Sequence, residues 1–335
     1  MEEYDYGLVA GDSFAPDDEV DEPFDPRRPH VMTVLGPVEP AALGMTLPHE
    51  HLLCRPATIA AGDPDTVLDD PYRTLTALEA FHQSGGGAIV DMSTAEYGRD
   101  IEGLVWLARR SPVHVIATTG HHKASYLGTT LDGLDHDVIA GRSVSELEDG
   151  VGETGVRPGV IKAGTSRETI EPVEDRVLRA AAEAHLATGV PISTHTDHGT
   201  MALAQVAILT GEGVSADRVI LGHLDRLGDH DEVIDILARG TYGSVDQIGK
   251  GGPADDERRA DLVAALVVAG HGDRVLLSQD LSRRSLMPAY GGSPGWSHLP
   301  ERFVLLLMDR GLTAPAIHRL VATNPQSALT VRRPS

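Results

Sequence analysis

His49 and His51 flank Glu50 in the run Thr46-Leu47-Pro48-His49-Glu50-His51-Leu52-Leu53. Along a β-strand successive side chains alternate faces, so the two imidazoles share one face and Glu50 takes the other. At a rise of roughly 3.3 Å per residue they stand about 6–7 Å apart and can converge on a small metal cluster. Four more residues of this kind close apolar runs. Lys162 follows Gly159-Val160-Ile161, His195 follows Val190-Pro191-Ile192-Ser193-Thr194, His223 follows Val219-Ile220-Leu221-Gly222, and Asp280 follows Val275-Leu276-Leu277-Ser278-Gln279. Imidazole and carboxylate suit zinc, and manganese, cobalt and iron accept the same set. Lysine is the odd member, because a protonated amine cannot ligate a cation. Burial and nearby positive charge lower its pKa, and a neutral amine reacts with carbon dioxide to give a carbamate that can bridge two ions. Taken singly, each residue reads equally well as a satisfied buried polar group, or for Lys162 as half of an ion pair. Taken together at the same ends of successive strands, they point to a pair of metal ions. Cys54, three residues past His51, reads as a small buried apolar residue, with ligation the minor alternative.

These residues need a scaffold that gathers strand ends. Apolar strand segments at 45–53, 87–92, 113–119, 159–164, 190–195, 218–223, 240–246 and 274–280 alternate with helical stretches at 73–83, 100–110, 174–188, 200–210, 230–238, 256–269 and 301–310. The helix at 174–188 is clear from the spacing of Val177, Leu178, Ala181, Ala184 and His185, with Gly189 as its stop. Strand–helix alternation implies a parallel sheet, and eight strands imply a closed (β/α)8 barrel, a TIM barrel, with active-site loops at its C-terminal mouth. No G-x-G-x-x-G follows the first strand, which argues against a dinucleotide fold. A short strand is expected at 31–35. The long Gly/Pro/Ser/Arg-rich connection 281–300 should lie over the mouth.

Composition sets the remaining bounds. The 335 residues carry a formal net charge of −22, which disfavours nucleic acid and anionic membrane surfaces. A single cysteine excludes an intrachain disulfide and suits a reducing cytoplasm. No stretch has the length of a membrane span, and the acidic N-terminus has no signal-peptide pattern. Residues 1–28 read as an acidic, disordered arm and 29–335 as one barrel.

The chain resembles the phosphotriesterase branch of the amidohydrolase superfamily, including its lactonase relatives. The resemblance runs from about Val31 to Ala328. It is carried by Val34-Leu35-Gly36-Pro37, the Thr46–Leu53 run, Asp91-Met92-Ser93-Thr94 with Gly98-Arg99-Asp100, Arg157 to Thr165, Thr194-His195-Thr196, Gly222-His223 and Ser278-Gln279-Asp280. It implies that His49, His51 and Asp280 bind a buried ion, that His195 and His223 bind an exposed one, and that carbamylated Lys162 and a hydroxide bridge them. Asp280 would then take the proton of the attacking water and pass it to the leaving alkoxide. Further segments, including Thr119-Gly120-His121-His122-Lys123, Ile248-Gly249-Lys250 and Asp280 to Ser285 with Tyr290-Gly291-Gly292, are similar to the sugar-lactone hydrolases. That likeness implies substrate contacts from Lys250 and Arg284, with Arg283, His122 and Lys123 beside them, and a phosphate on the substrate. The tyrosine of that subgroup after the double arginine is absent, since Ser285-Leu286-Met287 stands there. Lys250, Arg283 and Arg284 read equally as an anion site or as surface charges paired with Asp255, Asp256 and Glu257. The expected activity is opening of a small-molecule lactone, phosphorylated or not. The alternatives are a phosphotriesterase and, further off, a non-catalytic binding barrel. The family also implies a homodimer.

Overall fold

The computed structural model describes residues 28–57, 59 and 62–332. The acidic arm therefore lies outside the described residues except for Arg28. Eight parallel strands form the barrel. In chain order they are Met45–Glu50, Gly86–Asp91, a third in two pieces (His114–Ile116 and Thr118–Gly120), Val160–Thr165, Ile192–Thr196, Val219–Leu221, Tyr242–Val245 and Val275–Leu277. Each pairs in parallel with its neighbour. The third strand breaks at Ala117, whose carbonyl still accepts from Gly159 N–H at 2.9 Å, so the wall is continuous. Closure falls beside the expected site: Asp280 N–H donates to His49 O at 3.1 Å, and Ser278 Oγ accepts from His49 N–H at 3.1 Å.

Period-2 alternation sorts the strand residues into two layers. Ile89, Ile161, Val219, Leu221, Val275 and Leu277 face the helices in the larger core, whereas Val90, Val160, Ile220, Tyr242 and Leu276 fill the barrel. The inward column then climbs by twos to the mouth, from Val160 to Lys162 and from Leu276 through Ser278 to Asp280. The first strand departs from this rule. Its register on the second strand shifts between Leu47 and Glu50, around Pro48. Leu47 belongs to the outer layer, yet His49 reaches the site, because the irregularity reverses the alternation.

Surrounding helices begin where their sequences supply caps. Asp70 and Asp229 accept from the first free N–H groups of Pro71–Gln83 and His230–Leu237. A capping box between Glu171 and Glu174 opens Pro172–Thr188, and Gly189, at φ 77°, ends it. Several expectations need adjustment. The strand at 31–35 is the first arm of a hairpin, Val31–Thr33 against Gly36–Val38. The helix His136–Glu148 was not anticipated; its apolar residues are few and Gly141 interrupts them. The connection 281–300 is folded into short turns at Arg284–Leu286 and Pro288–Tyr290. No described helix is long and apolar enough to cross a membrane.

Candidate metal centre

The first strand ends at Glu50, so His49 lies in its last turn of pleat and His51 just beyond. All six expected ligands meet at the mouth. Nε2 of His49 is 3.2 Å from Lys162 Nζ and 3.9 Å from Asp280 Oδ1, and His51 Nε2 is 3.4 Å from the same oxygen. Across the pit, His223 Nε2 and His195 Nδ1 are 2.8 Å apart. Two of the six reach in through strained backbone: His223 and Asp280 have φ of 62° and 49°, the left-handed region that side chains rarely adopt. Close approach also demands a glycine before His223. A Cβ on Gly222 would sit 2.6 Å from Thr194 O and 3.3 Å from the His49 ring.

His51 and His223 are each held by a further partner. His51 Nδ1 lies 2.8 Å from Ser93 Oγ. The Asp91 carboxylate accepts from Ser93 N–H and Leu52 N–H at 2.7 and 2.9 Å. Asp246, fully buried, accepts from His223 N–H and lies 2.7 Å from His223 Nδ1 and 3.4 Å from His49 Nδ1. Its proximity to His49 and His223 would also allow a cation there. Its oxygens are already committed to the His223 backbone and ring, however, so it serves as the orienting partner of His223. With His223 Nδ1–H donating to the Asp246 carboxylate, the lone pair of Nε2 faces His195 and the pit. Asp246 was not foreseen, although its signal was present: Tyr242, Ser244 and Asp246 form an inward column like that ending in Asp280. Gln247, unforeseen as well, donates from Nε2 to Asp280 Oδ2 at 2.9 Å.

Electrostatics prepare the group for cations. Burial, with Lys162 and other cationic groups nearby, drives His49, His122 and His195 well below the usual imidazole range, so all three are neutral. Burial lowers Lys162 from 10.5 to about 8. Lys162 is 1 % exposed and makes no ion pair among the described residues, which disposes of its ion-pair reading. Burial alone would raise Asp280, but the Lys250 ammonium, a hydrogen bond from His51 and the neighbouring imidazoles outweigh it and hold the carboxyl well below the usual range. Neutral nitrogens and ionised oxygens crowded together, with His195 Nε2 buried and unpartnered, form the donor set of a divalent metal centre. His49, His51 and Asp280 present ligand atoms that all lie within 4.8 Å of one another. The Cys54 thiol is directed elsewhere, toward Thr66 O at 3.8 Å, and burial raises its pKa.

The expected substrate contacts ring this pit. His122 is buried in an aromatic wall, its ring 5.6 Å from Tyr97, 4.3 Å from Tyr126 and 4.7 Å from His195; Tyr97 in turn stacks on His51 at 4.6 Å. Lys123 Nζ donates to Asp197 at 2.6 Å and Lys250 Nζ to Asp280 Oδ2 at 2.7 Å. Arg283 pairs with Asp63 at 2.7 Å and Asp65 at 3.4 Å. Arg284 donates to Val67 O at 2.6 Å and to Asp69 at 2.7 Å. These partners differ from Asp255, Asp256 and Glu257, which pair with Arg258, with Arg259 and His298, and with Arg310.

A closed barrel with such a cluster at its mouth is the architecture of a metal-dependent hydrolase. The chain belongs to the phosphotriesterase family, whose model matches residues 29–329. It is 32% identical to the phosphotriesterase homology protein of Escherichia coli over 84% of this chain and 96% of that one. It is 29% identical to the N-acetyltaurine hydrolase of Rattus norvegicus, over 90% of this chain and 98% of that one. Among solved structures, a lactonase from Listeria monocytogenes superposes with a TM-score of 0.87 at 28% identity, covering 91% of this chain and all of that one.

Proposed function

We propose that this hydrolase opens a lactone with two zinc ions, one of which His49, His51 and Asp280 would hold and the other His195 and His223, with Lys162, as its carbamate, serving both. Such a pair makes water a nucleophile near neutral pH and polarises the oxygen of the bond to be broken. The protein's own residues do the rest. Asp280 stays ionised and faces His51 with one oxygen, so it can receive a proton from the attacking water. Lys250 and Gln247 fix its other oxygen, which keeps the carboxylate aimed into the pit. A carboxyl held this acidic keeps a proton only briefly and passes it to the leaving alkoxide. Tyr97, His122 and Tyr126 offer an aromatic wall for the substrate ring.

The observation that carries this reading is the charge balance of the mouth. Lys123, Lys250, Arg283 and Arg284 each already face a carboxylate. A pit with compensated cations and an aromatic wall suits an uncharged cyclic ester. Support also comes from the whole-chain likeness to a lactonase. The test is a panel assayed with zinc-loaded protein: unphosphorylated lactones, matched phosphorylated sugar lactones, an N-acylated aminosulfonate and a dialkyl aryl phosphotriester. Unphosphorylated lactones should show the highest kcat/KM. A phosphotriester turned over faster than every lactone would replace this reading.

A further inference from the structure

Alternation turns Glu50 away from the imidazoles on either side of it, into the seam where the eighth strand meets the first. There it is fully buried and its carboxylate is saturated. Ser278 Oγ and Gln279 N–H donate to one oxygen at 2.6 and 2.7 Å, and Leu281 N–H and Trp296 Nε1 donate to the other at 2.9 and 3.1 Å. Gln279 and Leu281 are the two neighbours of Asp280, the residue with φ of 49°. Both polar groups of His49 are answered across the seam without Glu50, its N–H by Ser278 Oγ and its carbonyl by Asp280 N–H, so closure of the barrel does not call for a carboxylate with four donors. Two of the extra bonds, from Gln279 and Leu281, grip the turn that carries Asp280, and Trp296 holds the carboxylate from the far side.

We infer that Glu50 is a positioning residue for the metal centre: by gripping the peptide N–H groups before and after Asp280, it fixes the left-handed turn that aims the Asp280 carboxylate at His51. The role assigned to Asp280 above is the basis of this inference. A neutral amide cannot replace the carboxylate, because glutamine would turn an NH2 group toward one pair of these donors.

The experiment measures zinc binding to the metal-free full chain by competition with a chromophoric chelator, and kcat and KM separately on the best substrate of the panel. Glu50→Gln should weaken one zinc site by about 10–100-fold, the usual effect of losing an outer partner of a ligand. Its kcat should fall while KM stays within about threefold, as for a group that acts on the reaction and not on substrate binding. The double variant Glu50→Gln with Asp280→Asn should be no worse than Asp280→Asn alone, because both changes act through one carboxylate. Wild-type zinc affinity in Glu50→Gln, or losses that multiply in the double variant, would overturn the inference and leave Glu50 as a seam residue. Trp296→Phe removes one donor and keeps the Glu50 carboxyl group. It should weaken zinc in the same direction by up to about tenfold, and it decides the matter if Glu50→Gln does not fold, since wild-type affinity there would equally overturn the inference. Zinc competition needs no substrate, so a failed lactone panel with weakened zinc in Glu50→Gln would reject the substrate and keep the positioning role.

Discussion

The pit and its rim use the same charged residue types under different rules. In the pit, His49, His51, Lys162, His223 and Asp246 are buried, and water is not available to satisfy them. Each must be answered by another protein group or by a cation, so positions there are over-determined. On the rim, Arg283 and Arg284 have side chains 44 % and 39 % exposed and pair with Asp63, Asp65 and Asp69 at the surface. Solvent can replace those partners. Losing a pit residue should therefore disable the protein, and losing a rim residue should adjust it.

The largest effect is expected from Asp280→Asn. Removing the proton carrier should lower kcat by roughly 10²–10⁴-fold, the range of general acid–base catalysis, in steady-state assays of lactone opening. A loss under about fivefold would place proton transfer elsewhere. Next comes Asp246→Ala, which strips His223 of its orienting carboxylate. Zinc affinity and kcat/KM should each fall about 10–100-fold, read by chelator competition and by initial rates.

The pH dependence is intermediate. Lys162 is held at about 8 against an ordinary 10.5, so the folded lysine gives up its proton before the unfolded one does. Between these values the unfolded chain binds more protons, and the stability of metal-free protein should rise with pH across that window. His49, His122 and His195 lie well below 6.5, so by the same sign stability should fall as pH drops below 6.5. Thermal melts of metal-free protein should show both limbs, and Lys162→Met should erase only the upper one. Zinc uptake should likewise increase as pH rises toward and past 8, as Lys162 gives up its proton, and half-maximal uptake near pH 6 would contradict a role for neutral Lys162 in holding the metal. The smallest effect belongs to the rim. Arg284→Ala should cost about 0–1 kcal/mol in denaturant melts, as for exposed ion pairs, and should leave hydrolysis of an unphosphorylated lactone nearly unchanged. A large rise in KM confined to phosphorylated lactones would show that this arginine leaves Asp69 to bind substrate.

The same division governs what could be read from the residues alone. The eight strands and the gathering of His49, His51, Lys162, His195, His223 and Asp280 were legible because apolar runs ending in a polar residue have few uses other than a barrel mouth. The bulge around Pro48 and the left-handed turn at His223 were not, since each depends on neighbouring strands. Asp246 was legible and overlooked: it stands at the end of the seventh strand as Asp280 stands at the end of the eighth. The rim partners were not legible, because an exposed arginine takes whichever carboxylate the fold brings near. Thus Arg283 and Arg284 join residues more than two hundred positions away in the chain. Glu50 showed only its direction, away from its flanking histidines; its partners come from the far end of the chain.

The most direct test is the divalent metal content per chain of protein purified without chelator, by elemental analysis, beside Lys162→Met. The account predicts about two ions per chain in the wild type, as in two-metal hydrolytic sites, and a clear loss in the variant. One ion or none in metal-supplemented wild type, or equal content in both proteins, would contradict a pit built around a metal pair with Lys162 between its halves.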